Sequence, residues 1–369
     1  MTARANGSRS KRLSHVNGRP RHAVVTGGAG FVGTNLASRL VEDGRRVVVV
    51  DKLSRAGVER NLRWLRETYG ARIVFEEADV RNRLVLRRAV EGASEVFHLA
   101  AQVAVTTSLD DPLDDFRTNV EGTIGLLEEL RRLDEPPFTL FTSTNKVYGS
   151  LPDLELDRRG DRWEPADELV RLNGLAEGRP LSFCTPYGCS KGAADQYVLD
   201  YAKSYGLPSV VFRMSCIYGP HQHGNEDQGW VAHFALRALA GEPITLYGDG
   251  AQVRDILFVD DLVEAMMLAR EHAPAVAGTP FNIGGGPENS VSLHEVIEQI
   301  GELAGSPPEV GFAAERPGDQ RYYVADTRRF RGVTGWRPLV AAPDGVERLF
   351  RWLADRRAPT ATRLRAVAR

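Results

Sequence analysis

Tyr187 and Lys191 stand four apart in the run Tyr187-Gly188-Cys189-Ser190-Lys191, so on a helix a phenol and an ammonium share one face. A phenol ordinarily loses its proton near pH 10, and bringing that to about 7 takes roughly 4 kcal/mol of differential stabilisation. A nearby ammonium and the positive ring of a nicotinamide both favour the phenolate. Such a phenolate takes a proton from a substrate hydroxyl while hydride leaves the same carbon. Thr144, just past a strand end, offers a hydroxyl to hold the substrate oxygen. The Tyr-x-x-x-Lys spacing alone is common on amphipathic helices. It gains meaning from a second segment, Thr26-Gly27-Gly28-Ala29-Gly30-Phe31-Val32-Gly33.

Gly27, Gly30 and Gly33 follow an apolar strand and open a helix, the context in which a glycine-rich turn cradles a dinucleotide. The first glycine permits the tight turn, the second lets backbone approach the pyrophosphate, and the third lets helix pack on strand. The helix start supplies N–H donors for phosphate. Asp51 ends the next strand, where a carboxylate accepts from ribose hydroxyls and repels a 2′-phosphate, which favours NAD over NADP. Asp51 as a plain turn residue is the competing reading, and Lys52 and Arg55 keep NADP open. Asp79, followed by Val80, either reaches the adenine amine or caps the next helix.

The elements that must position these groups alternate. Strands are predicted over Ala23–Thr26, Val47–Val50, Ile73–Phe75, Glu95–Leu99, Phe138–Thr142 and Ser209–Arg213. Helices are predicted over Phe31–Val41, Arg60–Glu67, Arg83–Val90, Asp115–Leu133 and about 186–205. This rhythm implies an α/β fold, a Rossmann-type doubly wound parallel sheet. From about residue 214 short helices (Trp230–Ala240, Asp261–Ala269, Leu293–Ala304) alternate with Gly- and Pro-rich turns. The expected division is a dinucleotide-binding domain over 22–213 with an insertion at 152–185 near the substrate. A smaller substrate-binding lobe, mainly 214–353, completes it. Residues 1–21 and 354–369 read as basic tails, the first of them disordered and without the apolar core of a signal peptide.

Composition bounds the rest. The 369 residues, 42% hydrophobic and 26% charged, suffice for one large α/β domain with a lobe. A net charge of -2 gives no reason to expect nucleic acid, and no run is long and apolar enough for a membrane span. Cys184, Cys189 and Cys216 form no CxxC pair and leave one unpaired under any bridging, which favours a reducing, cytoplasmic setting. His221 and His223 lack accompanying ligands, so no metal is expected.

With these segments assembled, the chain resembles an extended short-chain dehydrogenase/reductase of the NAD-dependent epimerase/dehydratase family. The matching runs are Thr26–Gly33, Asp51-Lys52-Leu53-Ser54, Asp79-Val80, His98-Leu99-Ala100-Ala101-Gln102, Asn119, Ser143-Thr144 with Val147-Tyr148-Gly149, Tyr187–Lys191, and Arg213 with Tyr218-Gly219-Pro220. They span about 22–340. The resemblance implies NAD as cofactor and a nucleotide sugar as substrate. It makes Thr144, Tyr187 and Lys191 the catalytic set. The cofactor site it implies comprises Gly27, Gly30, Phe31, Val32, Gly33, Asp51, Lys52 and Ser54. To these it adds Asp79, Val80, Leu99, Ala100, Ala101 and Asn119, besides Tyr187 and Lys191.

Ser54-Arg55-Ala56-Gly57, Gln102–Ser108, Ser143–Gly149, Tyr187–Tyr197 and Asp227–Val231 are similar to the CDP-paratose (CDP-tyvelose) 2-epimerase subgroup. That implies oxidation at C2 and return of hydride to the opposite face. An NDP-sugar 4-epimerase or dehydrogenase acting on a UDP-, GDP- or dTDP-sugar is the alternative. Met214–Ile217 and His221–Gly224 depart from the subgroup near the sugar. Sugar 4,6-dehydratases of the family place Asp-Glu after the threonine; Asn145-Lys146 stands here, which argues against elimination. Arg254 and Arg316 are placed by the resemblance near the diphosphate, with surface ion pairs as the other reading. Gln102, Thr107, Asn145 and Gln228 are polar candidates for sugar hydroxyls. A homodimer or homotetramer is expected through the helices near 116–132 and 186–204.

Overall fold

The computed structural model describes residues 15–16, 19–20 and 22–357. Its centre is a seven-stranded sheet: β1 (His22–Thr26), β2 (Val47–Asp51), β3 (Ile73–Glu77), β4 (Ala93–His98), β5 (Phe138–Thr144), β6 (Ser209–Met214) and β7 (Pro280–Ile283). The spatial order is β7-β6-β5-β4-β1-β2-β3, and every pairing is parallel. Val24 and Val25 of β1, Val47 and Val49 of β2 and Val210 to Phe212 of β6 are fully buried, as strands covered on both faces require. The chain winds outward from β1 in both directions, so the C-terminal ends of β1 and β4 flank the switch point where such sheets hold ligands.

Helices cover both faces. Phe31–Glu42 buries Leu36, Ala37 and Leu40 on one side; Arg83–Val90, Gly122–Leu130 and Thr185–Tyr205 bury Leu86, Leu126 and Val198 on the other. Each fully buried Leu or Val contributes roughly 1.5–3 kcal/mol of transfer free energy. The helix expected over Asp115–Leu133 is interrupted: Pro112–Phe116 and Gly122–Leu130 are joined by a π-helical turn over Arg117–Glu121, which turns Asn119 inward.

The division expected at 213/214 needs correction. Strand β7 pairs with β6 at the sheet edge, Phe281 beside Phe212, and Val259–Glu271 packs Leu262 and Met266 into the same core as Leu36. The chain therefore leaves the sheet for the lobe and returns. The lobe itself carries Val253–Phe258 between Cys216–Tyr218 and Ser290–Ser292, backed by Trp230–Ala240, Leu293–Ala304 and Ala342–Arg357. Within 152–185 a hairpin pairs Leu156–Arg159 with Arg162–Pro165. The last helix runs to Arg357, past the expected tail boundary at 354. Inside the expected disordered tail, His15–Val16 pairs antiparallel with Arg19–Pro20. The rest of both tails lies outside the described residues.

Candidate active site

The turn after β1 is built as its glycines require. Gly27 has φ +68°, and a Cβ on it would sit 2.8 Å from the Ala100 backbone nitrogen. A Cβ on Gly33 would lie 2.3 Å from the Gly27 carbonyl oxygen and 2.6 Å from Gly28 Cα, so helix and strand touch backbone to backbone. Gly30 caps the helix with no side chain of its own, which leaves the first N–H groups facing outward. Asp51, at the end of β2, accepts from the Ala29 amide (3.1 Å) and the Leu53 amide (2.9 Å), one on each carboxylate oxygen. Burial raises its pKa against the hydrogen bonds of the Leu53, Ala29 and Gly30 amides.

These groups open on a cavity of about 440 Å³. Its wall includes Gly27, Gly30, Phe31, Val32, Gly33, Asp51, Lys52 and Ser54, and across the switch point Asp79, Val80, Leu99, Ala100 and Ala101. Tyr187 and Lys191 close its far end beside Ser143. Burial would raise Asp79, but Arg81 (2.7 Å) and Lys52 (3.3 Å) hold its pKa down at about 2. The next helix is capped by Asn82, not by Asp79. Lys52, one of the residues that left a 2′-phosphate open, is thus already paired.

Asn119 is not in the wall. Its amide nitrogen donates to Ser190 Oγ (2.9 Å), Gln102 O (3.1 Å) and Asp115 (3.3 Å), while its oxygen accepts from the Gln102 amide (2.8 Å). It is a strut between the loop after β4 and the helix of Tyr187, not a free cofactor ligand, because the π-helical turn buries it. Gln102 is committed too: its amide donates to Ala104 O and accepts from Ala104 N, both at 2.8 Å.

At the catalytic end, Thr144 is the last residue of β5, and Tyr187 lies in the first turn of Thr185–Tyr205. The Tyr187 N–H, an orphan of that helix start, donates to Ser108 Oγ at 3.2 Å. Lys191 donates to Thr142 O at 2.6 Å and lies 4.2 Å from the Phe141 ring centroid. Both titrating groups are shifted against their charged forms. Burial pushes Tyr187 up to about 12, with a hydrogen bond from Thr144 and the charge of Arg55 opposing. Burial brings Lys191 down to about 7 against the pull of Asp195 and Asp115. In the protein alone desolvation dominates at both sites, so a low-pKa phenol depends on the nicotinamide charge. Between these values the pair holds one proton, on the phenol.

The residues assigned to substrate are more scattered. Only Gln228 joins the cavity wall. Asn145 accepts from Thr144 (3.2 Å) and donates to Gln320 (3.3 Å). Arg254 is buried on Asp319 at 2.7 Å, so it is no surface ion pair. Arg316 stacks 3.7 Å from the Tyr247 ring centroid, donates to Glu226 O, and faces Asp227 at 3.6 Å. Thr107 is exposed, while its neighbour Thr106 has a buried hydroxyl without a partner. His221 and His223 share the Asn61 carboxamide oxygen at 3.4 and 3.3 Å, and His221 lies between Trp64 and Trp352.

Three groups without a site role in the sequence reading stand at or beside the cavity. Thr118 and Ser143 line the cavity with buried hydroxyls that have no partner, and buried Asp115 has an unpartnered oxygen near Tyr187 and Lys191. Unmet hydroxyls in the wall, bare helix N–H groups and the Asp51 carboxylate together fit a dinucleotide. Isolated serines and threonines carry no sequence signal that would have marked them.

A doubly wound sheet with a glycine-cradled cavity ending in a tyrosine and a lysine, with Thr144 hydrogen-bonded to that tyrosine, defines a dinucleotide-dependent enzyme. The chain matches the model of the NAD dependent epimerase/dehydratase family over residues 23–284 and belongs to that family. It is 40% identical to a CDP-paratose 2-epimerase of Salmonella typhi over 90% of this chain and 99% of that protein. It is 35% identical to a UDP-glucose 4-epimerase of Mycolicibacterium smegmatis, over 88% of this chain and 95% of that one. The crystal structure of the Thermus thermophilus UDP-glucose 4-epimerase in complex with NAD superposes with TM-score 0.75 at 33% identity, covering 92% and 100% of the two chains. The cofactor is NAD, and the protein is an enzyme of the nucleotide-sugar epimerase type.

Proposed function

We propose that this enzyme is a 2-epimerase of a CDP-linked deoxyhexose, as the Salmonella relative's name states for that protein. One observation carries the choice of epimerisation over elimination. The residues after Thr144, Asn145 and Lys146, are an amide tied to Gln320 and an ammonium tied to Asp319, so no acid stands there to expel water. NAD, held by the glycine turn, Asp51 and the cavity wall, supplies a reversible hydride acceptor. Thr144 holds the substrate oxygen. Tyr187 takes the hydroxyl proton as the carbon is oxidised and returns it on reduction, and Lys191 stabilises the phenolate once it forms. The ammonium–phenolate form carries the same single proton that the pair holds between about 7 and 12, so it forms by moving that proton from Tyr187 to Lys191 without an outside base.

Inversion requires the keto sugar to present its other face while its nucleotide stays bound, so the polar anchors of the lobe must hold the diphosphate, not the ring. We assign that anchoring to Arg254 and Arg316, and contacts with the ring to Asn145 and Gln228. We place the enzyme in the cytoplasm, in carbohydrate biosynthesis; all three cysteines are free. We also propose a homodimer. Leu113 is 65% exposed and Phe116 47% on the short helix beside Thr185–Tyr205, which itself exposes Tyr197 and Tyr205. Together they form an apolar face suited to its own copy.

The test is proton NMR of purified enzyme with CDP-paratose, followed by other NDP-hexoses. The expected result is a new anomeric signal with C2 inverted and no net NADH. Turnover of only a UDP-, GDP- or dTDP-sugar would replace the substrate, and turnover of none would remove the function.

A further inference from the structure

Lys146 is the residue of the catalytic strand end that the mechanism above leaves unused. Its backbone is tied to the site: Lys146 N donates to Thr144 Oγ1 at 3.2 Å, in the 3-10 turn Asn145–Tyr148. Its side chain reaches into the lobe, where Nζ donates to Gly318 O (3.1 Å) and Asp319 Oδ1 (3.3 Å). From the opposite side, Arg254 donates to the same Asp319 oxygen at 2.7 Å, and the Gln320 amide donates to it at 2.9 Å.

Two features of this cluster are unbalanced. Three N–H donors converge on one carboxylate oxygen, which offers about two lone-pair sites, so donor capacity is left over. Two cations face one carboxylate, so the cluster keeps a net positive charge where both cationic side chains are largely removed from water. Buried charge of that kind is costly unless an anion completes it. Burial and the Arg254 charge both lower the Lys146 pKa. Burial would raise Asp319, yet Arg254 and Lys146 hold it at about 2.

We propose that Lys146 and Arg254 form a two-sided clamp, bridged by Asp319, for the sugar-side phosphate of the substrate, and that Lys146 thereby orients the sugar on Thr144 and Tyr187. This rests on the nucleotide-sugar reading of the site. A tetrahedral phosphate, carrying one negative charge between the sugar and the second phosphate, accepts from an ammonium and a guanidinium at once and supplies the missing negative charge. Because Lys146 is two residues from Thr144, the clamp couples the phosphate directly to the end of the strand that holds the substrate oxygen.

The test is calorimetric titration of the NAD-loaded enzyme with paired nucleotides, CDP against CMP and then the uridine, guanosine and thymidine pairs. Lys146→Gln is expected to weaken the diphosphate roughly tenfold or more and to leave the monophosphate unchanged, and Lys146→Arg to recover most of the loss. In turnover the glutamine variant raises KM far more than it lowers kcat. Equal weakening of di- and monophosphate, or no weakening of either, overturns the proposal. Wild-type enzyme that binds no nucleoside diphosphate removes the nucleotide-sugar reading itself, and that arm separates the two failures.

Discussion

The dinucleotide half and the substrate half of the cleft differ in how their polar groups are employed. In the first, the backbone N–H groups of the helix turn that follows Gly30 and the hydroxyls of Thr118 and Ser143 remain to be filled. In the second, Gln102, Asn145, Arg254 and Arg316 are each engaged with protein partners. A rigid fold can present a preformed cofactor site, whereas the sugar site must exchange internal contacts for substrate contacts. Cofactor binding should therefore be governed by shape and substrate binding by competition among charges.

The largest effect expected from that contrast is at its junction. Tyr187→Phe removes the proton carrier and should lower kcat by about 10²–10⁴-fold while leaving the NAD affinity, measured by fluorescence titration, nearly intact. Gly33→Ala attacks the shape of the first half. Its Cβ meets the Gly27 carbonyl oxygen at 2.3 Å, so overpacking of roughly 1–3 kcal/mol should appear as a lower melting temperature together with lost NAD binding. The pH profile sharpens the chemistry: kcat/KM should rise as pH increases through about 7, where the pair loses its first proton from Lys191, and stay high above it. Lys191→Met should move that limb upward toward the phenol, and a limb that stays near 7 would remove Lys191 as its source. Gln102→Ala should do least to turnover, since its side chain serves its own turn; thermal melting should move while KM for substrate stays near wild type.

The same contrast decides what could be read from sequence. The glycine turn, Asp51 after a run of four valines and the Tyr187/Lys191 pair are set by spacing along one or two adjacent elements, and the structure brings them to one cavity. The central strands through β6 are likewise found, because each is an apolar run between turns. Strand β7 is four residues long between Gly278 and Gly284, too short to signal its return to the sheet. Asn119 was assigned to cofactor because its surroundings matched the family; the π-helical turn that buries it has no compositional mark. The substrate residues were hardest. Their states depend on partners far along the chain, such as Asn145 with Gln320 and Arg254 with Asp319, and local spacing holds no record of these.

The central claim is oxidation at C2 with hydride kept on the enzyme and returned to the opposite face. The most direct measurement is turnover of CDP-paratose carrying deuterium at C2, followed by NMR and absorbance for NADH. The expected product is the C2 epimer with deuterium retained at C2 and no accumulated NADH. Loss of the label to solvent, or NADH released in step with product, would contradict it.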